Sequence, residues 1–156
     1  MKKLNLKIVS YVLILSSIAI VAGLGSLFVS LGMEWFSTLI TPSEFVPSFI
    51  IPIVWSVIYI IFAITLCVLT TSDKLSTKTI VLLVINGILN LLWCLLFFTL
   101  NSTLWGYISI VLLLISTFVL VIDLLRYNKW YLYLTIIYPI WVSIATGLNL
   151  SLWILN

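Results

Sequence analysis

Apolar residues fill five long runs of this chain, and polar residues fall almost entirely between them. The runs cover positions 8–29, 49–70, 79–100, 104–124 and 130–153. Each is close to the ~20 residues that cross a bilayer core as a helix. Barrel strands would give short alternating segments, which this pattern lacks, so it predicts helices. Asp123, at the very end of the fourth run, is the only charged residue inside any of them. The expected fold is an all-α integral membrane protein, a bundle of five transmembrane helices forming one domain over 1–156, with 30–48 as an external lid loop.

Composition sharpens this. The chain is 64% hydrophobic and only 7% charged, against roughly 25% charged in soluble proteins, and a mean hydropathy of +1.38 leaves little room for a soluble fold. Charge then sets an orientation. Lys2, Lys3 and Lys7 precede the first run, Lys74 and Lys78 separate the second and third, and Arg126 and Lys129 separate the fourth and fifth. All seven basic residues thus fall on one side of a five-helix arrangement, while Glu34 and Glu44 occupy the other. The positive-inside rule places the N-terminus in the cytoplasm and the C-terminus outside. The net charge of +3 reflects this topology and not nucleic-acid binding. The first run has the basic flank of a signal peptide and a small Ala22-Gly23 pair, but it continues through Leu27-Phe28-Val29. That exceeds the usual apolar core of roughly 7–15 residues, so a retained helix is expected. No long basic, acid-poor extension for organelle import precedes it, which points to a bacterial plasma membrane.

The chemistry available is narrow. Without histidine the chain lacks a His general base, a His-ligated haem and most zinc sites. Cys67 and Cys94 lie inside apolar runs and read as small packing residues, with no metal site and no cofactor expected. No phosphate-binding glycine loop or nucleophile elbow is present.

Polar and aromatic residues inside the runs carry the functional signal. Trp35, Trp105, Trp130 and Trp153 lie near run ends, where an aromatic belt anchors helices at the headgroups. Trp93 and Trp141 lie well inside, and Trp55 is intermediate. Asn86, Asn90, Trp93 and Phe97 share one helical face, as do Trp55, Tyr59 and Phe62, and Tyr138, Trp141, Ala145 and Asn149. Pro52 falls in a first helical turn, whereas Pro139 should kink the fifth helix. Asparagines facing lipid would leave their amides unsatisfied, so these faces look toward protein or a cavity. Two readings stand side by side: interhelical hydrogen bonds that tie the bundle, and a small-molecule pocket with polar groups among aromatic walls. Asn86, nearer a helix end, fits the structural reading better.

The segment W-F-S-T-L-I-T-P-S-E-F-V-P from Trp35 resembles the lid of the tryptophan-rich sensory protein family, also called the translocator protein or peripheral benzodiazepine receptor family. Trp35, Phe36, Leu39, Pro42, Ser43, Pro47, Trp55 and Tyr59 keep step with its first motif. Asn90, Trp93, Phe97 and Phe98 resemble its second, and Tyr138, Trp141, Ala145, Thr146, Leu148 and Asn149 its third. The resemblance implies a five-helix bundle whose pocket accepts porphyrins such as protoporphyrin IX and benzodiazepine- or isoquinoline-type ligands. It implies ligand-binding roles for Trp55, Tyr59, Asn90, Trp93, Tyr138, Trp141, Ala145, Leu148 and Asn149. It also implies a lid containing Trp35, Pro42, Ser43, Glu44 and Pro47, and Trp55 and Trp141 as the reactive pair in any light-dependent porphyrin degradation.

The departures are specific. Glu44 stands where the family has a lid tryptophan, Thr41 replaces its lysine and Val46 one of its prolines. An acidic lid would repel a dianionic porphyrin. No tyrosine or basic residue follows Asn149, so the animal members' cholesterol motif is absent. Alternatives to a ligand-binding protein are a small-molecule transporter and a structural or regulatory subunit without a ligand. Proton coupling would call for a mid-span acid, and the sequence places none there. Ala19 and Gly23 form a small-xxx-small pair suited to a homodimer or to packing within one bundle.

Overall fold

The computed structural model describes residues 2–42, 47, 49–72 and 74–156, the side chains of 2–6 and 132 excepted. The described residues form helices α1 (Lys2–Phe36), α2 (Ile50–Thr71), α3 (Thr77–Cys94, continued by a π-helical turn Leu95–Thr99), α4 (Thr103–Leu125), α5 (Trp130–Thr135) and α6 (Ile137–Leu155). They supply five stretches long and apolar enough to cross a membrane, α5 and α6 together providing the last. α1, α3 and the α5–α6 pair run from the end carrying the basic residues to the end carrying the 37–49 loop, and α2 and α4 run back.

α4 is the most enclosed helix, packed between α3 and α6, and α1 is the least enclosed. The core accordingly lies along α4, with Ile110, Leu113, Leu120 and Leu124 meeting Phe97, Val142 and Leu152. Exposed apolar side chains on the other faces are what a lipid-facing surface requires.

Local chemistry explains most boundaries. Ser76 caps α3 by accepting from the Thr79 amide at 3.2 Å, and Ser102 caps α4 by accepting from the Trp105 amide at 3.3 Å. Asn101 takes a left-handed conformation (φ 54°) in the tight turn between α3 and α4, which asparagine tolerates better than most residues.

Three boundaries differ from the sequence-based expectation. α1 runs to Phe36, beyond 29, so Trp35 is a helical residue and not part of the lid loop, and Glu34 also lies on the helix. The reason is tertiary: Gly25 and Gly32 share a buried face, and a Cβ at Gly32 would overlap the Phe98 backbone, so this stretch docks against the π turn. The third helix starts at Thr77 and its last turn is π-helical, with the Leu100 amide donating to the Leu95 carbonyl at 2.9 Å. The kink expected at Pro139 appears as a break at Ile136. Proline has no N–H for the Thr135 carbonyl and its ring crowds that group, so the helix parts one turn upstream. The expected lid residues Ser43 and Glu44 lie outside the described residues.

Candidate functional site

At the loop end, three helices converge on a tightly packed aromatic chamber. α2 contributes Ile51 and Trp55, α3 with its π turn contributes Trp93, Phe97 and Phe98, and α6 contributes Trp141, Ala145, Leu148, Asn149 and Leu152. Phe36, from the last turn of α1, completes the wall. The π turn is central because it lets two sequence neighbours, Phe97 and Phe98, both turn inward, to 1% and 9% exposure. Trp55 stacks on Trp93 with centroids 5.9 Å apart, and Trp93 continues onto Phe97 at 6.5 Å. Trp35 closes the stack from α1, edge-on to Phe97 at 5.6 Å.

The chamber's polar groups are mostly committed. The Trp93 indole donates to Asn149 Oδ1 at 3.1 Å, and Asn149 Nδ2 donates to the Ala145 carbonyl at 2.8 Å. The Trp141 indole N–H is buried and has no acceptor among the described residues. The free space is only about 50 Å³, well below the roughly 300–1,000 Å³ of most small-molecule sites. In this conformation the aromatic side chains fill the chamber themselves.

A second space of about 790 Å³ opens between α1, α2 and α3. Trp55, Tyr59, Asn90 and Tyr138 line it, together with Asn86 and the 10–21 stretch of α1. The Tyr59 hydroxyl donates to Asn90 Oδ1 at 3.3 Å. Asn86 is the hub of a separate network, donating to Ser116 Oγ at 2.8 Å and Thr117 Oγ1 at 3.1 Å while accepting from the Tyr138 hydroxyl at 2.7 Å. That is a structural assignment.

The structure therefore divides the residues singled out in the sequence. Trp93, Trp141, Ala145, Leu148 and Asn149 meet in the chamber, Tyr59, Asn90 and Tyr138 face the larger groove, and Trp55 belongs to both walls. Among the described residues, no charged side chain lines either space. Of the lid residues, Trp35 is in α1, while Pro42 and Pro47 lie in the loop, where the Pro47 carbonyl accepts from the Ile50 amide at 2.9 Å. Trp105 and Trp130 are exposed near helix ends, and Trp153 stacks on Tyr107 at 5.5 Å. Sequence reasoning missed Gly32 and Gly106, which give Phe98 and Phe97 their room. Glycine inside an apolar helical run was the available signal. Cys67 and Cys94 are free thiols, and no cluster of three or more potential metal ligands occurs among the described residues.

A family model described as "TspO/MBR family" matches residues 12–154. The chain belongs to the TspO/MBR family. Among relatives of this TspO/MBR chain, the tryptophan-rich protein TspO of Chlorobaculum tepidum is 32% identical over 157 residues, covering 98% of this chain and 99% of the relative. Protein CrtK of Rhodobacter capsulatus is 31% identical over 126 residues, 78% of each chain. TspO/MBR membership and the five apolar helices together make this a multi-pass membrane protein.

Proposed function

We propose that this protein binds a flat ligand of the porphyrin type, such as protoporphyrin IX, with its hydrophobic ring in the aromatic chamber. The observation that carries the reading is the chamber wall itself. Trp55, Trp93 and Trp141 surround a small floor of Ala145 and Leu148, and the Trp141 N–H is left without an acceptor. Indole faces add roughly 0.5–1.5 kcal/mol per aromatic pair beyond area burial. A ligand acceptor on Trp141 would also remove the cost of a buried unpaired donor. Loading requires the chamber to open, and Phe36, at the end of α1, is the wall residue that would move. Trp55 and Trp141 are then the indoles in position to reduce a photo-excited porphyrin, which would make light-dependent pigment loss in air the accompanying activity.

A binding role is favoured over ion-coupled transport because Asp123 lies outside both spaces. It is held by Lys78 at 3.0 Å and Arg126 at 2.9 Å. The positive-inside distribution supports a plasma-membrane protein with its N-terminus cytoplasmic and C-terminus external. Ala19 and Gly23 are both exposed on α1, and no atom lies within 4 Å of a Cβ built at Gly23, which suits self-association through that face.

Titrating detergent-purified protein with protoporphyrin IX and following tryptophan quenching tests the reading. Saturable binding that weakens about tenfold in Trp141→Phe, with helicity unchanged, is expected for loss of a buried donor. Equal binding by parent and variant would sink it. Parallel dark and illuminated samples then read pigment loss.

A further inference from the structure

The basic end of the bundle holds a charge cluster that lines neither of the two spaces. Asp123 is 3% exposed, and a carboxylate so buried needs a partner. It has two. Its Oδ1 accepts from Lys78 Nζ at 3.0 Å and from Arg126 Nη1 at 2.9 Å. Its Oδ2 accepts from Thr79 Oγ1 at 2.7 Å, and that hydroxyl is fixed in turn by those of Ser76 and Tyr127. The carboxylate is therefore held still between α3 and α4. One cation would balance it, so the second leaves the cluster with a net positive charge. Because both cations bond the same oxygen, their heads are no farther apart than two such bonds laid end to end, and like charges at that range repel. An anion lying across both would relieve the repulsion. The Lys78 and Arg126 side chains, 60% and 65% exposed, are open to receive one.

The surroundings say what kind of anion fits. Lys78 stands in the first turn of α3 and Arg126 follows the last residue of α4, so both lie at the edge of the apolar spans Thr77–Thr99 and Thr103–Leu125. That is the depth of lipid headgroups. Trp130 and Tyr133, exposed and 5.4 Å apart on α5, mark the same level as interfacial aromatic residues. From each cation toward the bilayer centre the exposed face is apolar. On α3 the face that carries Lys78 continues through Val81 and Ile85, and on α4 the face that carries Arg126 continues through Ile122, Phe118 and Ile115. A phosphate between the two cations would lay its acyl chains along these stripes, which a free anion could not use. The segments at this end carry seven basic residues against two acids, Asp73 and Asp123, which favours an anionic head over a zwitterionic one.

We infer that Lys78 and Arg126, held together by Asp123, form a binding site for the phosphate of an anionic phospholipid whose acyl chains run along α3 and α4. Asp123 is a positioning residue in this site, since it touches the cations and not the lipid. The general attraction of basic loops to an acidic membrane is diffuse and follows the number of charges. This site instead depends on which cations Asp123 holds. The assignment does not depend on porphyrin binding in the chamber, which lies at the opposite end of the bundle.

The test titrates the detergent-purified full chain with phosphatidylglycerol, and separately with phosphatidylcholine of the same acyl chains, reading one-lipid adducts by native mass spectrometry. The parent should hold phosphatidylglycerol more tightly. Lys78→Gln and Arg126→Gln should each weaken phosphatidylglycerol about fivefold and leave phosphatidylcholine little changed, as for one lost cation near a headgroup. Lys74→Gln and Lys129→Gln remove the same charge at the same end, yet should have little effect. Asp123→Asn should weaken phosphatidylglycerol as well, although it makes the chain more positive. Equal losses in all four lysine and arginine variants would overturn the site in favour of diffuse charge, and so would tighter binding by Asp123→Asn. Equal retention of the two lipids by the parent would also overturn it. Displacement of the lipid by millimolar inorganic phosphate would reveal an anion site without chain contacts and sink the lipid assignment. Circular dichroism checks that each variant stays helical. Should Asp123→Asn fail to fold, the four cation variants still decide the question.

Discussion

Three buried asparagines have three different tasks, set by what each one meets. Asn86 uses both ends of its amide on Ser116, Thr117 and Tyr138 and joins α3, α4 and α6. Asn149 orients the Trp93 indole and returns its own N–H to the Ala145 carbonyl. Asn90 accepts from the Tyr59 hydroxyl and ties α3 to α2. At this scale we expect Asn86→Leu to destabilise the protein by about 1–2 kcal/mol, because the buried Tyr138 hydroxyl loses its acceptor. A lower melting temperature in detergent with unchanged porphyrin affinity would be the result. A change in affinity with unaltered stability would contradict the structural role given to Asn86. The buried positions of Asn86, Asn90, Trp93, Trp141 and Asn149 were legible from helical spacing alone, since a carboxamide facing lipid is costly. Their partners were not legible, because those lie on other helices.

The element that most shapes the chamber is the π turn Leu95–Thr99, and its support comes from glycines on neighbouring helices. A Cβ at Gly32 would collide with the Phe98 backbone, and one at Gly106 with the Phe97 ring. Backbone cannot yield as a side-chain tip can. Gly32→Ala should therefore cost about 1–3 kcal/mol, in the range of core overpacking. It should also detach the end of α1, which faster proteolysis near 37–49 would report. A melting temperature equal to the parent's would mean that α1 does not dock on the π turn. Nothing in L-L-F-F-T distinguishes a π turn from an α turn, since the cause is room made across α1 and α4. Similarly, Pro139 predicted a distorted helix, but only the backbone shows the break at Ile136.

Across the whole molecule, α1 is the least buried of the five spans, and residues that follow it are tied to the far end of the chain. Asn156 clasps the start of the loop: its Oδ1 accepts from the Ile40 amide at 2.9 Å, and its Nδ2 donates to the Ile40 carbonyl at 3.1 Å. Asn156→Ala should release this clasp, so the Ile40 amide exchanges hydrogen faster while amides within α4 keep their protection. If porphyrin enters beneath the loop, its association rate should rise severalfold in the same variant, since admission is then limited by loop opening. An unchanged Ile40 exchange rate would show that the loop is held elsewhere. The clasp joins positions at opposite ends of the chain, and no sequence pattern marked it.

The sequence by itself determined the class of fold, the number of crossings and the inward faces. Each follows from the bilayer as solvent, which demands helices of a set length and forbids unpaired polar groups toward lipid. The lid and pocket motifs likewise showed the family before any contact was known. Only the tertiary structure decided that the marked residues line two spaces and not one, that Trp55 stands between them, and that aromatic side chains nearly fill the chamber while the groove keeps about 790 Å³. Helical periodicity fixes which way a side chain points from its own axis. How far apart the axes stand depends on Gly32, Gly106 and the hydrogen bonds that fasten α1 to Thr71 and Thr99, where contacts between distant positions set the spacing.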